Sequence, residues 1–271
     1  MQMWSIHGAR GALTRAFLAA LFVWCAGAAY ARASAGPVIA VASDLQFAAV
    51  DVAEAFRKQT GSAVRLSFGS SGNFARQLRQ GAPFELFLSA DETYIDDLAR
   101  DGVMRDTGAL YAIGRLALFV PNGSPLVADS NFDDLAAALT DGRLKKFAIA
   151  NPEHAPYGRR AEEALRHRGL WEAIAGRLVL GENVSQAAQF ATSGNVQAGI
   201  ISYAHVLSPK IAALGGFALI PEPWHLPIRQ RMALTKTAGP VAEAFYTFAQ
   251  TPAARAIFRA HGFALPGEAT Q

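Results

Sequence analysis

The sequence predicts an α/β fold of two lobes joined by two crossing segments, with a ligand cleft between them. Strand-like and helix-like patterns alternate along nearly the whole chain, and the connections between them are short. Two extended stretches, one apolar and one proline-rich, sit where the chain would pass between halves. The 271 residues suffice for two modest domains, and a composition that is 51% apolar and 17% charged describes a folded chain.

The first block begins with Val38–Ala42, a short apolar run ending at Ser43 and Asp44, which reads as a buried strand entering a helix start. Phe47 to Lys58 carries helical spacing, stopped by Thr60-Gly61. Val64 to Phe68 alternates as a strand does, Gly69-Ser70-Ser71-Gly72 turns, and Asn73 to Arg79 is helical up to Gly81. Phe84 to Leu88 is a third strand; Ser89-Ala90-Asp91 caps a helix running to about Asp101. This β-α-β-α-β-α order belongs to a mostly parallel sheet covered on both faces. Leu110 to Val120 is extended and apolar, closed by Pro121-Asn122-Gly123, and reads as a strand crossing to the second lobe.

A second block repeats the logic. It has a helix from Phe132 to Leu139, a strand from Lys146 to Ala150, a helix from Arg159 to His167 and a strand from Arg177 to Leu180. A helix from Ser185 to Thr192 and strands at Ala198–Ser202 and Phe217–Ile220 follow. Pro221 to Pro227 is the return crossing, and Val241–Phe248 and Pro252–His261 are closing helices. The expected division is 1–35 as a leader, 36–116 with 228–271 as lobe 1, and 117–227 as lobe 2. Ligands in such sheets bind beyond the carboxyl ends of the strands.

The leader call rests on a stretch with Arg10, Arg15 and Arg32 and no acidic residue, an apolar run from Ala16 to Ala29, and small-x-small patterns up to Ala35. A basic start, a short apolar core and a small-residue cleavage zone make a secretory signal peptide, cleaved on export to the periplasm. The sequence pI of about 9.2 belongs to that segment. Setting its three arginines aside takes Lys plus Arg from 25 to 22, against 22 Asp plus Glu. A near-neutral mature chain removes the case for a nucleic-acid partner. The sole cysteine, Cys25, also lies in the leader, so no disulfide or cysteine metal site is expected.

Three loops after strands share one chemistry. Ser43, the pair Ser70 and Ser71, and the loop Asn151-Pro-Glu-His-Ala-Pro-Tyr157-Gly158 each precede a helix. A helix start leaves about four N–H donors unpaired and carries partial positive charge, which suits an anion. Taken singly, each is also an ordinary helix cap. The six histidines, at 7, 154, 167, 205, 225 and 261, show no metal-ligand spacing, and no nucleotide-binding glycine motif occurs.

The runs Ser67-Phe-Gly-Ser-Ser-Gly-Asn-Phe-Ala-Arg-Gln77 and Gly81-Ala-Pro-Phe-Glu-Leu-Phe-Leu-Ser-Ala-Asp91 resemble the molybdate-binding periplasmic proteins of ABC transporters. So do Asn151 to Gly158, Gly181-Glu-Asn-Val184 and Ala256-Ile-Phe-Arg-Ala-His-Gly-Phe263, in order along the chain. The resemblance implies a type II periplasmic-binding-protein fold holding molybdate, and tungstate with it, between the lobes by neutral donors. It implies hydroxyl and amide donors from Ser43 and Ser71, backbone N–H groups from Tyr157 and Val184, and residue 44 beside the ligand. It also implies an ABC permease as partner, a monomer, no cofactor and no catalysis. A closed cavity of neutral donors selects by size, favouring molybdate and tungstate over smaller sulfate.

Two positions depart from the pattern. Some relatives carry a tyrosine after Gly-Ile-Val, whereas here Gly199-Ile-Ile is followed by Ser202, with Tyr203 one place later, and either residue is a candidate contact. The other is Asp44, a carboxylate near the place of a dianion, where like charges repel. It opens a second reading, in which the site takes another small oxyanion or an organic acid. A secreted serine hydrolase using Ser71 or Ser43 with His154 is a distant third, without a Gly-x-Ser-x-Gly elbow. His154 is expected in a structural role, and Arg76, Arg79, Arg159 and Arg160 are expected to pair locally or face solvent.

Overall fold

The computed structural model describes residues 36–268. The predicted leader with Cys25 lies outside the described residues, as do residues 269–271.

The described residues form two five-stranded sheets. In the first, β1 (Val38–Ala42) pairs in parallel with β2 (Arg65–Gly69) and β3 (Leu86–Ser89), linked by helices α1 (Gln46–Thr60) and α2 (Ser71–Arg79). Helix α3 (Glu92–Arg100) follows β3 and leads to β4 (Ala109–Gly114). The second sheet comprises β5 (Leu116–Pro121), β6 (Phe147–Ala150), β7 (Leu178–Gly181), β8 (Ala198–Ser202) and β9 (Gly215–Leu219). Its helices are α4 (Asp133–Thr140), α5 (Pro156–His167), the short α6 (Trp171–Ile174), α7 (Val184–Thr192), and the short α8 (Tyr203–Val206) and α9 (Pro209–Ala212). The chain then returns to the first sheet through β10 (Ile228–Leu234), which lies antiparallel between β3 and β4, and ends in α10 (Pro240–Phe248) and α11 (Pro252–Ala260).

The predicted alternation holds, with three differences of physical interest. The apolar run from Leu110 to Val120 is two strands in different sheets, broken at Arg115. Helix α5 starts at Pro156 rather than Arg159, because a proline with its preset φ and missing N–H suits the first helical position. Strand β10 was not anticipated: its Ile-Arg-Gln-Arg-Met stretch buries Gln230 completely among inward-facing apolar residues, so a polar residue hides the core-facing register.

The central strands are buried on both faces, as in any sheet covered twice, and their Val, Ile, Leu, Phe and Ala side chains fill the core. Phe56, Phe245, Phe248 and Phe258 pack beneath the first sheet, while Phe119, Phe132 and Phe147 pack in the second. Ala42 and Ala90, at strand ends of the first sheet, belong to the second sheet's apolar cluster together with Ala155, Tyr157 and Val184. The carboxyl ends of the two sheets therefore meet.

Candidate functional site

A small cavity of about 10 Å³ lies at that meeting point. Its wall takes Ala42, Ser43 and Asp44 after β1, Gly69, Ser70 and Ser71 after β2, and Ala90 after β3. The second sheet supplies Ala155, Pro156 and Tyr157 at the start of α5, and Asn183 and Val184 at the start of α7. Five of the predicted contact residues, Ser43, Asp44, Ser71, Tyr157 and Val184, are thus brought to one place from sequence positions up to 141 apart. No lysine or arginine is among the residues of this wall.

Local capping decides which amides remain free. At α2, Ser70 accepts from Asn73 N–H at 3.4 Å and Gly72 N–H is given to the His154 carbonyl at 2.9 Å. The Ser71 N–H is left with no acceptor among the described residues. Helix α5 has Ala155 at its N-cap, which offers no side-chain acceptor, and Pro156 has no N–H, so Tyr157 carries the first free amide. At α7, Asn183 accepts from Gln186 N–H at 3.1 Å and Ser185 N–H points to Ser43 Oγ at 3.4 Å, leaving the Val184 N–H.

The two serine hydroxyls are oriented by the same economy. Ser71 Oγ accepts from Ala90 N–H at 3.0 Å, and Ser43 Oγ accepts from Ser185 N–H. An oxygen that already accepts from a fixed amide keeps its own proton to donate elsewhere. Ser71 is fully buried and Ser43 nearly so. The wall therefore offers amide and hydroxyl donors without a mobile counter-charge, which is the chemistry that dehydrates and holds a small anion.

Asp44 is the exception to this neutral donor set. It is 1% exposed, and its Oδ2 accepts from Tyr157 Oη at 3.0 Å and from Gln230 Nε2 at 2.5 Å. Gln230 is held in turn by Tyr111, whose hydroxyl donates to Oε1 at 2.9 Å. Oδ1 takes no well-formed hydrogen bond. Burial pushes the acid up to about 6, partly offset by Gln230, Tyr157 and the nearby N–H groups of residues 44 and 45. Gly114 makes the Tyr157 approach possible: a Cβ there would lie 2.2 Å from the phenol oxygen.

Ser202 and Tyr203 are not part of this wall. The Ser202 hydroxyl caps α8 and meets His205 Nδ1 at 2.5 Å, in the core. Tyr203 turns the other way, under the Arg115 guanidinium and against Phe217, and lines a separate groove with Arg259 and Phe263. The one-residue offset after Gly199-Ile-Ile places the tyrosine outside the cavity. The hydroxyl that does reach the wall is that of Tyr157, expected only for its amide.

His154 Nε2 bonds to the Glu182 carbonyl at 2.9 Å rather than to a serine, so the predicted nucleophile–base pair is not assembled. Arg159 meets Tyr94, Arg160 pairs with Glu163, and Arg79 pairs with Asp101, all outside the wall. Sequence reading missed Gln230, Tyr111, Ser185 and His205. His205 Nε2 lies 2.9 Å from Ser185 Oγ, which donates to the Ser43 carbonyl at 2.9 Å and so ties α7 to the first serine loop. None of the four falls in a motif; only the fold brings them to the site.

A two-sheet molecule with an anion-suited cavity where the strand ends meet is a solute receptor by architecture. The chain belongs to the bacterial extracellular solute-binding protein family, whose pattern matches residues 37–264. Within that family it is 37% identical to the molybdate-binding protein ModA of Rhodobacter capsulatus, covering 85% of this chain and 89% of that protein. Identity to the molybdate-binding protein ModA of Azotobacter vinelandii is 35%, over 84% of this chain and 89% of that protein. The solved periplasmic molybdate-binding protein of Azotobacter vinelandii matches with a TM-score of 0.75 at 31% identity, covering 85% of this chain and 99% of that one. A sulfate-binding protein of Mycobacterium tuberculosis, 17% identical with a TM-score of 0.70, shares the fold.

Proposed function

We propose that this protein captures molybdate, and tungstate with it, in the cavity between the sheets and delivers it to the permease of an ABC importer. The observation that carries the reading is the convergence of three helix-start amides, from Ser71, Tyr157 and Val184, with two serine hydroxyls already fixed as donors. A tetrahedral oxyanion presents four oxygens, and a ring of such donors from both sheets can meet them while no protein atom touches the metal at its centre. The relatives named for molybdate binding supply the ligand class. Export with removal of the leader, action as a monomer and the absence of catalysis complete the proposal.

Calorimetry with molybdate, tungstate, sulfate and phosphate tests it. Heat at micromolar protein is expected for molybdate and tungstate, with sulfate weaker. Binding of sulfate without binding of molybdate overturns the ligand.

A further inference from the structure

Of the buried side-chain oxygens and nitrogens at the cavity wall, one alone has no hydrogen-bond partner among the described residues. Asp44 Oδ1 is buried and takes no well-formed hydrogen bond while Oδ2 takes two side-chain donors, and the N–H groups of residues 44 and 45 are the other donors close to the carboxyl. A buried carboxyl oxygen lacking a donor is unfavourable as an ion, yet as the protonated acid it becomes a donor itself. The groups of the wall left uncommitted, the amides of Ser71, Tyr157 and Val184 and the hydroxyls of Ser43 and Ser71, are donors, and a bound anion supplies acceptors only. A proton between Oδ1 and the guest satisfies both.

We infer that Asp44 takes up one proton when an oxyanion enters the cavity and then donates Oδ1–H to it, so that capture of a dianion is coupled to proton uptake. This rests on the cavity being the oxyanion site. The balance is simple: one proton comes from solvent, bonds to Oδ1, and returns to solvent on release.

Magnitudes favour uptake over repulsion. Each unit of negative charge about 4 Å from an ionised carboxylate weakens binding on the order of a thousandfold at an effective dielectric near 20. Protonating an acid of pKa about 6 at pH 8 costs about a hundredfold. An opened cleft would return Asp44 to water and lower that value, which widens the pH range over which a proton must be acquired. The other groups facing Asp44 do not titrate in the window. Tyr157 on α5 and Tyr111 on β4 are buried phenols pushed well above their ordinary range, chiefly by burial. His205 on α8, linked through Ser185 of α7 to Ser43, is lowered to about 4 by burial. No charged group other than Asp44 lines the cavity among the described residues.

The test is calorimetric titration of the full exported protein with molybdate in buffers of different ionisation enthalpy, between about pH 7 and 9. The wild type is expected to take up close to one proton per anion, with Kd rising about tenfold per pH unit. Asp44→Asn, whose amide is a permanent neutral donor, is expected to bind with no proton uptake and a flat Kd, tighter than wild type at the high-pH end. Wild-type binding with no proton uptake overturns the coupling and leaves the oxyanion site standing, a result that needs no variant. Undiminished uptake in Asp44→Asn also overturns it. Failure of both proteins to bind any of the four anions removes the site and the coupling together.

Discussion

Ser71 sits where three constraints meet: it opens α2, its amide has no acceptor, and its hydroxyl receives the Ala90 N–H from the neighbouring strand end. The contact to Ala90 is what converts an adaptable hydroxyl into a directed donor, since the oxygen's accepting side is already engaged. Ser71→Ala keeps the amide but loses the hydroxyl, and a hydrogen bond to a charged group is worth about 1–3 kcal/mol. We expect molybdate affinity to fall by roughly five- to 150-fold on that basis, read by calorimetry. An affinity equal to wild type takes Ser71 out of the site. The same reasoning separates Asp44 from its surroundings: of the five wall residues expected from sequence, it alone brings a charge.

At the scale of elements, the cavity exists because helix starts from one sheet reach loops from the other. Gly72, second in α2, shows how closely: a Cβ there would lie 2.6 Å from the His154 carbonyl oxygen, while its N–H donates to that same oxygen at 2.9 Å. The next residue, Asn73, bonds to Glu182 across the same seam. Gly72→Ala should therefore hold the two sheets apart: the Tyr94 hydroxyl, 2.7 Å from the new Cβ, is a side-chain end that can shift, the His154 backbone is not, and alanine is the better helix former by up to about 1 kcal/mol. We expect at least tenfold weaker molybdate binding, with the melting temperature in the absence of anion little changed. A parallel loss of both would mean that Gly72 serves folding rather than closure. Element order was legible in the sequence because strand and helix periods alternate cleanly from Val38 to Ser202. The serine loops were legible as helix starts after strands, but the amides of residues 157 and 184 were expected only through the resemblance, because the sequence pattern alone started those helices at Arg159 and Ser185. Strand β10 was not legible, because Gln230 places an amide where the alternation calls for an apolar side chain. The hydroxyl of Tyr157 was not either: its reach to Asp44 depends on a glycine at 114, on a strand 43 residues earlier. Such pairings are set by register between elements and leave no local signature.

At the scale of the whole molecule, the two sheets are tied by a buried polar relay whose charge state matters. His205 accepts at Nδ1 from Ser202 and donates from Nε2 to Ser185, which donates to the Ser43 carbonyl; this is the pattern of a neutral imidazole with its proton on Nε2. A second proton, on Nδ1, would face the hydroxyl hydrogen that Ser202, fully buried, already donates there. Burial accordingly lowers this histidine to about 4 from an ordinary 6.5. The unfolded chain takes up a proton on it near pH 6.5 and the folded chain only near 4, so the unfolded state binds more protons between those values. Stability contributed by His205 is present in full above pH 6.5 and is lost as pH falls toward 4. Asp44 acts in the opposite sense, because its raised value lets the folded state hold the extra proton between 3.8 and about 6. The two effects are separated by comparing wild type with His205→Gln, which leaves Asp44 in place. Glutamine keeps a donor and an acceptor but cannot charge. The variant should be less stable at about pH 7.5, through lost packing on Phe47, yet lose less on acidification. The gap between the two should narrow, and can reverse, by up to about 1.4 kcal/mol per pH unit below 6.5, read from urea midpoints near pH 7.5 and 4.5. Equal acid sensitivity in the two proteins would show that this imidazole is not kept neutral by the fold, and that the relay from Ser202 to Ser43 tolerates its charge.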